Sequence, residues 1–439
     1  MSMRILWLHQ YFATPRGWGA VRTFEFARRF VKAGHAVDVL CCTGYDESLR
    51  LTGRGPAVID GVRVFVSGTD YRPHMGFLRR ILSFLSFMGH ALWFVLRRGG
   101  GYDVMVASSG PLTMAVPALI ARWFRGLPFV FEVIDVWPDS AIAAGVLKNP
   151  VLKALSFSLE ALAYRYASAI VTCSTGMTER VLEKGRVKRE EGRVEDGGRR
   201  TEGGVSRPEV VTISNCCDLD GFSPDETRRR MMRMQHGVGD DQTVALYTGA
   251  MGRSNAVDDL LVTFRETGQD SRIVWWIAGD GPRGAEIRAA LAATGDGHRF
   301  FGSMPKQELI GLYLAADVNV VTFMNEPLFY ENSPNKFFDG IAAGLPAVFN
   351  RSTWLEPWLT RYGCGIVCKG SRPGTLMAES IRALASDAGR RKQMGINARR
   401  LAEEVFDRDK LAAGYLNVLD GVLKRSEEHT SELQSRSDL

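Results

Sequence analysis

No two of the seven cysteines in this 439-residue chain stand in C-x2-C spacing, so the sequence encodes neither a zinc knuckle nor a thioredoxin-type redox pair. Cys41-Cys42, Cys216-Cys217, Cys364 and Cys368 read instead as reduced, mostly buried thiols of a cytosolic protein. The seven histidines include no H-x3-H pair, and a protein-ligated metal is not expected. Charge of one sign is also scarce: 55 Lys and Arg against 49 Asp and Glu leave +6. With no RNA-binding signature or DNA-reading motif beside so mild an excess, nucleic acid is not an expected partner. The second predicted strand ends in Cys41-Cys42-Thr43, without the acid that holds a ribose in a dinucleotide-binding fold, which argues against an NAD enzyme. No apolar run is long enough to span a membrane, and no signal peptide precedes the first strand. The expected location is cytoplasmic.

What is present is alternation. Short apolar strands at 4–8, 36–41, 62–66, 103–107, 129–132 and 169–173 are interleaved with helical patterns at 21–33, 112–124 and 151–167. That is the pattern of a doubly wound parallel sheet. The chain is too long for one core, and the pattern restarts with strands at 244–247, 273–277 and 318–322 and helices at 257–264 and 285–293. The expected organisation is an α/β fold of two Rossmann-like domains, 1–214 and 215–408, with the linker at 215–224. Within the first domain, 185–207 is rich in Gly, Arg and Glu of mixed sign and reads as a flexible surface insertion. Residues 425–439 resemble the in-frame translation of a sequencing-adapter oligonucleotide and are expected to be an artefactual tail.

The stretch from Glu331 to Gly344 carries the most chemistry. Ser333 suits an N-cap and Pro334 a first helical position, while Gly344 and Pro346 end the helix. Lys336 and Asp339 are three apart and share a face. A helix start with a cation in its first turn suits a phosphate. Asp339, one turn on, can accept from ribose hydroxyls, and Glu331 in the preceding loop can reach a sugar. The alternative is an ordinary αβ corner with surface acids. Thr248-Gly249-Ala250-Met251-Gly252-Arg253 is a second anion-suited turn, unless Arg253 merely pairs with a surface acid. Gly279-Asp280-Gly281-Pro282 closes another strand and is equally a plain tight turn. Asp135 ends a strand, where it can orient or deprotonate a hydroxyl or cap a helix.

Glu331 and Asp339, around Ser333-Pro334-Asn335-Lys336, resemble the acidic-x7-acidic signature of retaining GT-B glycosyltransferases of the large family 4 type. The resemblance covers roughly residues 3–423. It implies two Rossmann-like domains facing across a cleft, a helix at 409–424 crossing back to the first domain, a UDP-sugar donor on the second domain, and no cofactor or metal. It implies that Asp339 holds the ribose and Glu331 the sugar hydroxyls, and that Arg253 and Lys336 stabilise the leaving diphosphate with Gly252 and the Ser333–Asn335 helix start. The Gly279-Asp280 loop would lie near the nucleobase, and Gly17 and Gly19 would line the cleft opposite the diphosphate. The chain departs from the family at Asp339, where Glu is usual, and at Ser254–Asp258, which lacks a common lysine. It departs again at Trp18, which replaces a glycine, and at Ile134, which replaces an arginine. Asp135-Val136-Trp137-Pro138-Asp139-Ser140 resembles a segment of bacterial O-antigen and capsule transferases that use N-acetyl-fucosamine-type donors, which implies an acceptor-side role for Asp135.

Residues 77–96 are apolar and aromatic, and the apolar run 81–96 within them is flanked by Arg72, Arg79, Arg80, Arg97 and Arg98. They suit an anionic membrane surface or a buried core helix. Together these features lead to a peripheral enzyme on the inner face of the plasma membrane, with a polyprenyl-diphosphate-linked or glycan acceptor. Two rivals share the fold: a UDP-N-acetyl-sugar 2-epimerase and a non-catalytic partner protein.

Overall fold

The computed structural model describes residues 2–17, 21–51, 56–69, 71, 75–143, 145–184, 208–295 and 297–437. The expected insertion at 185–207 and the Gly19 site lie outside them. The chain divides into two compact units, Met1–Ser214 with Asp409–Leu439, and Asn215–Arg408.

The first unit holds strands β1 (Arg4–Leu8), β2 (Ala36–Cys41), β3 (Ala57–Ile59), β4 (Val62–Val66), β5 (Val104–Ser108), β6 (Phe129–Val133), β7 (Ala169–Thr172) and β8 (Glu209–Thr212). They form one sheet in the order β3-β4-β2-β1-β5-β6-β7-β8, parallel except at β3–β4. β5, β6 and β7 are buried along their whole length, as expected of parallel strands covered on both faces. Its helices are α1 (Arg22–Lys32), α2 (Phe77–Arg98), α3 (Ala115–Arg125), α4 (Asp139–Ala143), α5 (Pro150–Tyr166) and α6 (Thr175–Lys184). The β4–β5, β5–β6 and β6–β7 crossovers all step the same way along the sheet. With right-handed crossovers, α2, α3 and α5 therefore share one face. The β1–β2 crossover steps the other way and puts α1 on the opposite face.

Glu132 is the odd residue in the apolar strand Phe-Val-Phe-Glu-Val. A charge there needs a partner, and Arg22 supplies it at 3.0 Å. Ser108 Oγ donates to the second carboxylate oxygen at 2.6 Å, and Trp7 Nε1 donates to Ser108 Oγ at 3.0 Å. Arg22 also donates to the carbonyls of Ile213 and Ser214 at 2.7 and 2.5 Å. The last residues before the second unit are thus tied to the core of the first.

The second unit is a six-stranded, wholly parallel sheet in the order β11-β10-β9-β12-β13-β14. Its strands are β9 (Thr243–Thr248), β10 (Ile273–Ala278), β11 (Arg299–Gly302), β12 (Val318–Val321), β13 (Ala347–Phe349) and β14 (Gly365–Val367). Its helices are α7 (Glu226–Gln235), α8 (Val257–Thr267), α9 (Gly284–Thr294), α10 (Lys306–Ala315), α11 (Pro327–Tyr330), α12 (Asn335–Ala342), α13 (Glu356–Tyr362), α14 (Pro373–Ser386) and α15 (Ala388–Glu404). The winding reverses between β9 and β12, so the crevice at their carboxyl ends is where such a sheet takes a ligand.

A last helix, α16 (Arg408–Ser437), lies almost wholly in the first unit. Tyr415 packs edge-on against Trp7, Phe26 and Phe30, so α16 shares the α1 face. The helical backbone continues through the tail to Ser437, and Arg425 pairs with Glu209 of β8 at 3.1 Å.

Candidate functional site

The loop after β9 turns at Gly249, which has φ +115°, and the loop after β10 turns at Gly279 with φ +138°. These turns require glycine on two counts. Left-handed backbone disfavours a side chain, and a Cβ on Gly279 would collide with the Gly249 carbonyl. The loops are stitched by Gly249 N–H to the Ala278 carbonyl at 2.9 Å and Met251 N–H to the Asp280 carbonyl at 2.9 Å. Asp280 is itself exposed and accepts from Gly281 N–H at 2.7 Å. With Gly281, Pro282, Gly284, Ala285 and Arg288 it lines an open depression of about 520 Å³. Gly252 precedes a one-turn helix, Arg253–Asn255; the Arg253 side chain lies outside the described residues.

Helix α12 starts one residue later than expected, with Pro334 as its cap residue and Asn335, exposed, as its first. Ser333 is therefore not the N-cap. Its Oγ accepts from Asn215 N–H at 3.3 Å, and its carbonyl accepts from Asn215 Nδ2 at 2.6 Å. The tertiary bond has displaced the local one, and it anchors the loop to the first residue of the unit. Glu331 ends α11 and is partly buried.

Lys336 and Asp339 are both buried in the first two turns of α12, at 8% and 6% exposure, yet their charges meet different partners. Asp339 pairs with Lys306 at the start of α10. Lys336 makes no ion pair among the described residues. Its ammonium lies 4.0 Å from the centre of the Tyr247 ring and 3.4 Å from Asn255 Oδ1. A Cβ on Gly249 would stand 3.2 Å from its Nζ. Burial alone pulls the amine down to about 7. Beneath it, Asn319 of β12 donates to the Lys336 carbonyl at 2.9 Å. That reach passes over Gly340, where a Cβ would strike the Asn319 amide. Thr248 and Tyr313 share a hydroxyl hydrogen bond of 2.5 Å next to it.

Sequence reasoning singled out Lys336, Asp339 and the glycine turns. It missed Tyr247, Asn255, Lys306 and Asn319. A buried polar residue inside the strand Val-Asn-Val-Val was the available signal for Asn319. Nothing local marked Lys306, which lies 33 residues before its partner.

In the first unit, Gly17 is buried against the Tyr45 carbonyl and Asp46, whose carboxylate holds Thr14 N–H at 2.9 Å. Asp135 follows β6. The residue is exposed, and desolvation by the surrounding protein raises its carboxyl to about 6. Its carbonyl accepts from Ser109 Oγ at 3.1 Å. Gly17 and Asp135 thus both sit at carboxyl ends of the sheet. His9, after β1, is buried and bonded to Thr23 at 2.7 Å. Burial pulls it down to about 4, so it is neutral at physiological pH. Among the described residues no group of three or more His, Cys, Asp or Glu side chains converges to hold a metal ion.

The buried, uncompensated amine beside a glycine turn at a topological switch point is suited to a phosphate oxygen. Comparison with known proteins identifies both regions by domain family. Residues 19–194 match the glycosyl transferase 4-like domain, and residues 228–401 match glycosyl transferases group 1. A "Probable glycosyltransferase WbjE" of Pseudomonas aeruginosa is 24% identical over 286 residues. That alignment covers 64% of this chain, which spans about 65% of the length of that relative. Among solved structures, sucrose-phosphate synthase from Thermosynechococcus elongatus superposes with a TM-score of 0.72 at 14% identity, covering 97% of this chain and 100% of that one. HepE of Anabaena, in complex with UDP and glucose, does so with 0.68 at 16% identity over 95% and 100%. Two stretches of the chain thus match glycosyltransferase domain models, and its two α/β units have the fold of GT-B glycosyltransferase structures.

Proposed function

We propose that this protein is a retaining glycosyltransferase that moves an N-acetyl-deoxyhexosamine from a UDP-sugar to a lipid-linked or glycan acceptor in bacterial surface polysaccharide synthesis. The observation that carries the donor half is Lys336, a buried ammonium with no ion pair among the described residues, aimed at the Gly249 turn. A diphosphate there supplies the missing negative charge. As the anomeric C–O bond breaks, negative charge grows on the leaving UDP, and a preorganised cation stabilises that state more than the ground state.

Arg253, Gly252 and the first turn of α12 from Asn335 act with Lys336 on the diphosphate. Asp339 serves the ribose, although Lys306 already engages one of its oxygens. Glu331 serves the sugar hydroxyls, and the depression beside Asp280 and Gly281 takes the uracil. Asp135, with its carboxyl held near 6, orients an acceptor hydroxyl. The leaving phosphate itself takes the acceptor proton, so no protein nucleophile is invoked and no metal is required. The fold shared with WaaG, a glycosyltransferase involved in lipopolysaccharide biosynthesis, supports a polysaccharide context, and HepE, crystallised with UDP and glucose, supports a UDP-sugar donor. The apolar, arginine-flanked helix α2 supports a peripheral membrane enzyme; among the described residues no helix is long and apolar enough to cross a membrane.

The test is to incubate the protein with a panel of UDP-sugars, with and without a polyprenyl-diphosphate sugar. UDP release that requires the acceptor is expected. Isomerisation of the donor without acceptor would replace this reading with the epimerase. Neither reaction under any condition would favour a non-catalytic partner.

A further inference from the structure

The first unit leaves large apolar side chains in water on one side. On α2, Leu78, Leu82, Leu85, Trp93 and Leu96 are exposed, Leu78 to 74%, while Phe87, Ala91 and Phe94 are buried. With Gly89 between Leu85 and Trp93, the exposed positions recur every three or four residues and form one stripe along the helix. The sequence left membrane surface and core as alternatives for this segment; the core takes one face, and the other is exposed. On α3, Trp123 and Phe124 are exposed, Phe124 to 71%. On α5, Val151, Leu152 and Leu155 are exposed, Leu155 to 61%.

These helices are neighbours on the sheet face opposite α1 and α16. Helix α3 packs between α2 and α5. Arg125 of α3 donates to the Leu96 carbonyl of α2, and Trp123 meets Tyr166 of α5 edge-on at 5.4 Å.

The charge on these three helices is almost wholly of one sign. The three helices carry eight Lys and Arg residues and a single acid, Glu160. Glu160 is buried and bound to Lys184 at 3.0 Å, so it projects no negative charge. The arginines flank the aromatics: Arg97 lies over Trp93 at 5.4 Å, and Arg165 lies over Tyr166 at 5.7 Å. Exposed apolar and aromatic side chains set among cations fit the boundary of an anionic bilayer, where rings enter the headgroup layer and guanidinium groups meet lipid phosphates. A second copy of the same face would set cations against cations, which disfavours a dimer built through it.

We propose that α2, α3 and α5 together form one docking face for an anionic lipid bilayer, with α3 and α5 as necessary to it as α2. The proposal rests on the peripheral-enzyme reading given above, which it extends from one helix to three. Binding is read by co-sedimentation with phosphatidylglycerol and with phosphatidylcholine vesicles. Two variants leave α2 untouched: Trp123→Glu with Phe124→Glu, and Val151→Glu with Leu155→Glu. All four side chains are exposed, so folding is expected to survive, and a milder Trp123→Ser with Phe124→Ser pair guards against a charge effect alone.

The wild type is expected to bind the anionic vesicles, less at high salt, and each variant to lose at least tenfold in partitioning. Variants that sediment like the wild type would return the role to α2 alone. A wild type that ignores both vesicles, or that dimerises through these same side chains in light scattering, would overturn the proposal. UDP affinity is measured in parallel and is expected to be the same in every variant. A wild type that binds vesicles but not UDP would defeat the donor-site reading and leave the lipid face standing.

Discussion

The two units solve opposite electrostatic problems with the same doubly wound sheet. The second unit hides its unbalanced charge. Lys336 is enclosed by an aromatic ring, a glycine turn and an amide, and among the described residues only Met231, Met234 and Ile396 are large exposed hydrophobics in that unit. The first unit hides a balanced pair, Arg22 with Glu132, and displays its unbalanced cations and apolar groups on α2, α3 and α5. A lone buried cation selects a small anion that can reach it, whereas a broad basic and apolar face selects an extended one.

Removing one member of the balanced pair is expected to give the largest effect on stability. Arg22→Ala leaves the buried Glu132 without its cation, which typically costs about 3–5 kcal/mol, and it frees the Ile213 and Ser214 carbonyls. A large fall in melting temperature, partly restored by Arg22→Met with Glu132→Gln, is the expected outcome of thermal unfolding. An unchanged melting temperature would show that the clamp is dispensable and would weaken the contrast between the units.

The contrast within α12 is sharper and its expected effect smaller. Asp339 already has Lys306, so Asp339→Asn removes charge from a site that is compensated. It is expected to weaken UDP binding at least tenfold, by about 1.5–3 kcal/mol for one hydrogen bond to a charged group. Glu331→Gln should leave UDP affinity intact and slow transfer. Calorimetry with free UDP checks both, and a loss of affinity in the Glu331 variant alone would exchange the two roles.

The smallest effect is expected at the chain end. Truncation after Lys424 removes the exposed Arg425–Glu209 pair, and such surface pairs are worth about 0–1 kcal/mol. A melting temperature lowered by more than a few degrees would show that the last turns of α16 pack on the first unit.

Much of this was legible locally. The parallel strands announced themselves as short apolar runs, and the Pro334–Lys336 helix start and the Gly249 and Gly279 turns each carried a local signal. The short strands β3, β11 and β14 did not, since three or four residues hold too little periodicity. The tertiary choices were equally hidden. Ser333 suits an N-cap by local rules, but Asn215, 118 residues away, takes both its hydroxyl and its carbonyl. Lys336 and Asp339 share a face by helical spacing, but only packing decides that one finds Lys306 and the other Tyr247. The apolar run of α2 was visible as a run, while the division into buried and exposed stripes, and its continuation onto α3 and α5, required the sheet to set three helices side by side.

The central claim is that the unpaired Lys336 ammonium receives the donor diphosphate. Without ligand, burial holds this amine near 7, well below its ordinary 10.5. Between about pH 7 and 10.5 the unfolded chain therefore binds a proton that the folded one has released, so the free protein gains stability from this group as pH rises. A bound diphosphate reverses the preference and keeps the amine charged. UDP affinity should then fall as pH climbs above 7, by up to about tenfold per unit until the amine of the complex also titrates. The most direct measurement is UDP titration calorimetry at pH 7.0 and 9.0 on the wild type and on Lys336→Ala. The expected result is a wild type that weakens at least tenfold at the higher pH and a variant that binds weakly and nearly equally at both. Equal affinity of wild type and variant at pH 7.0 would contradict the claim.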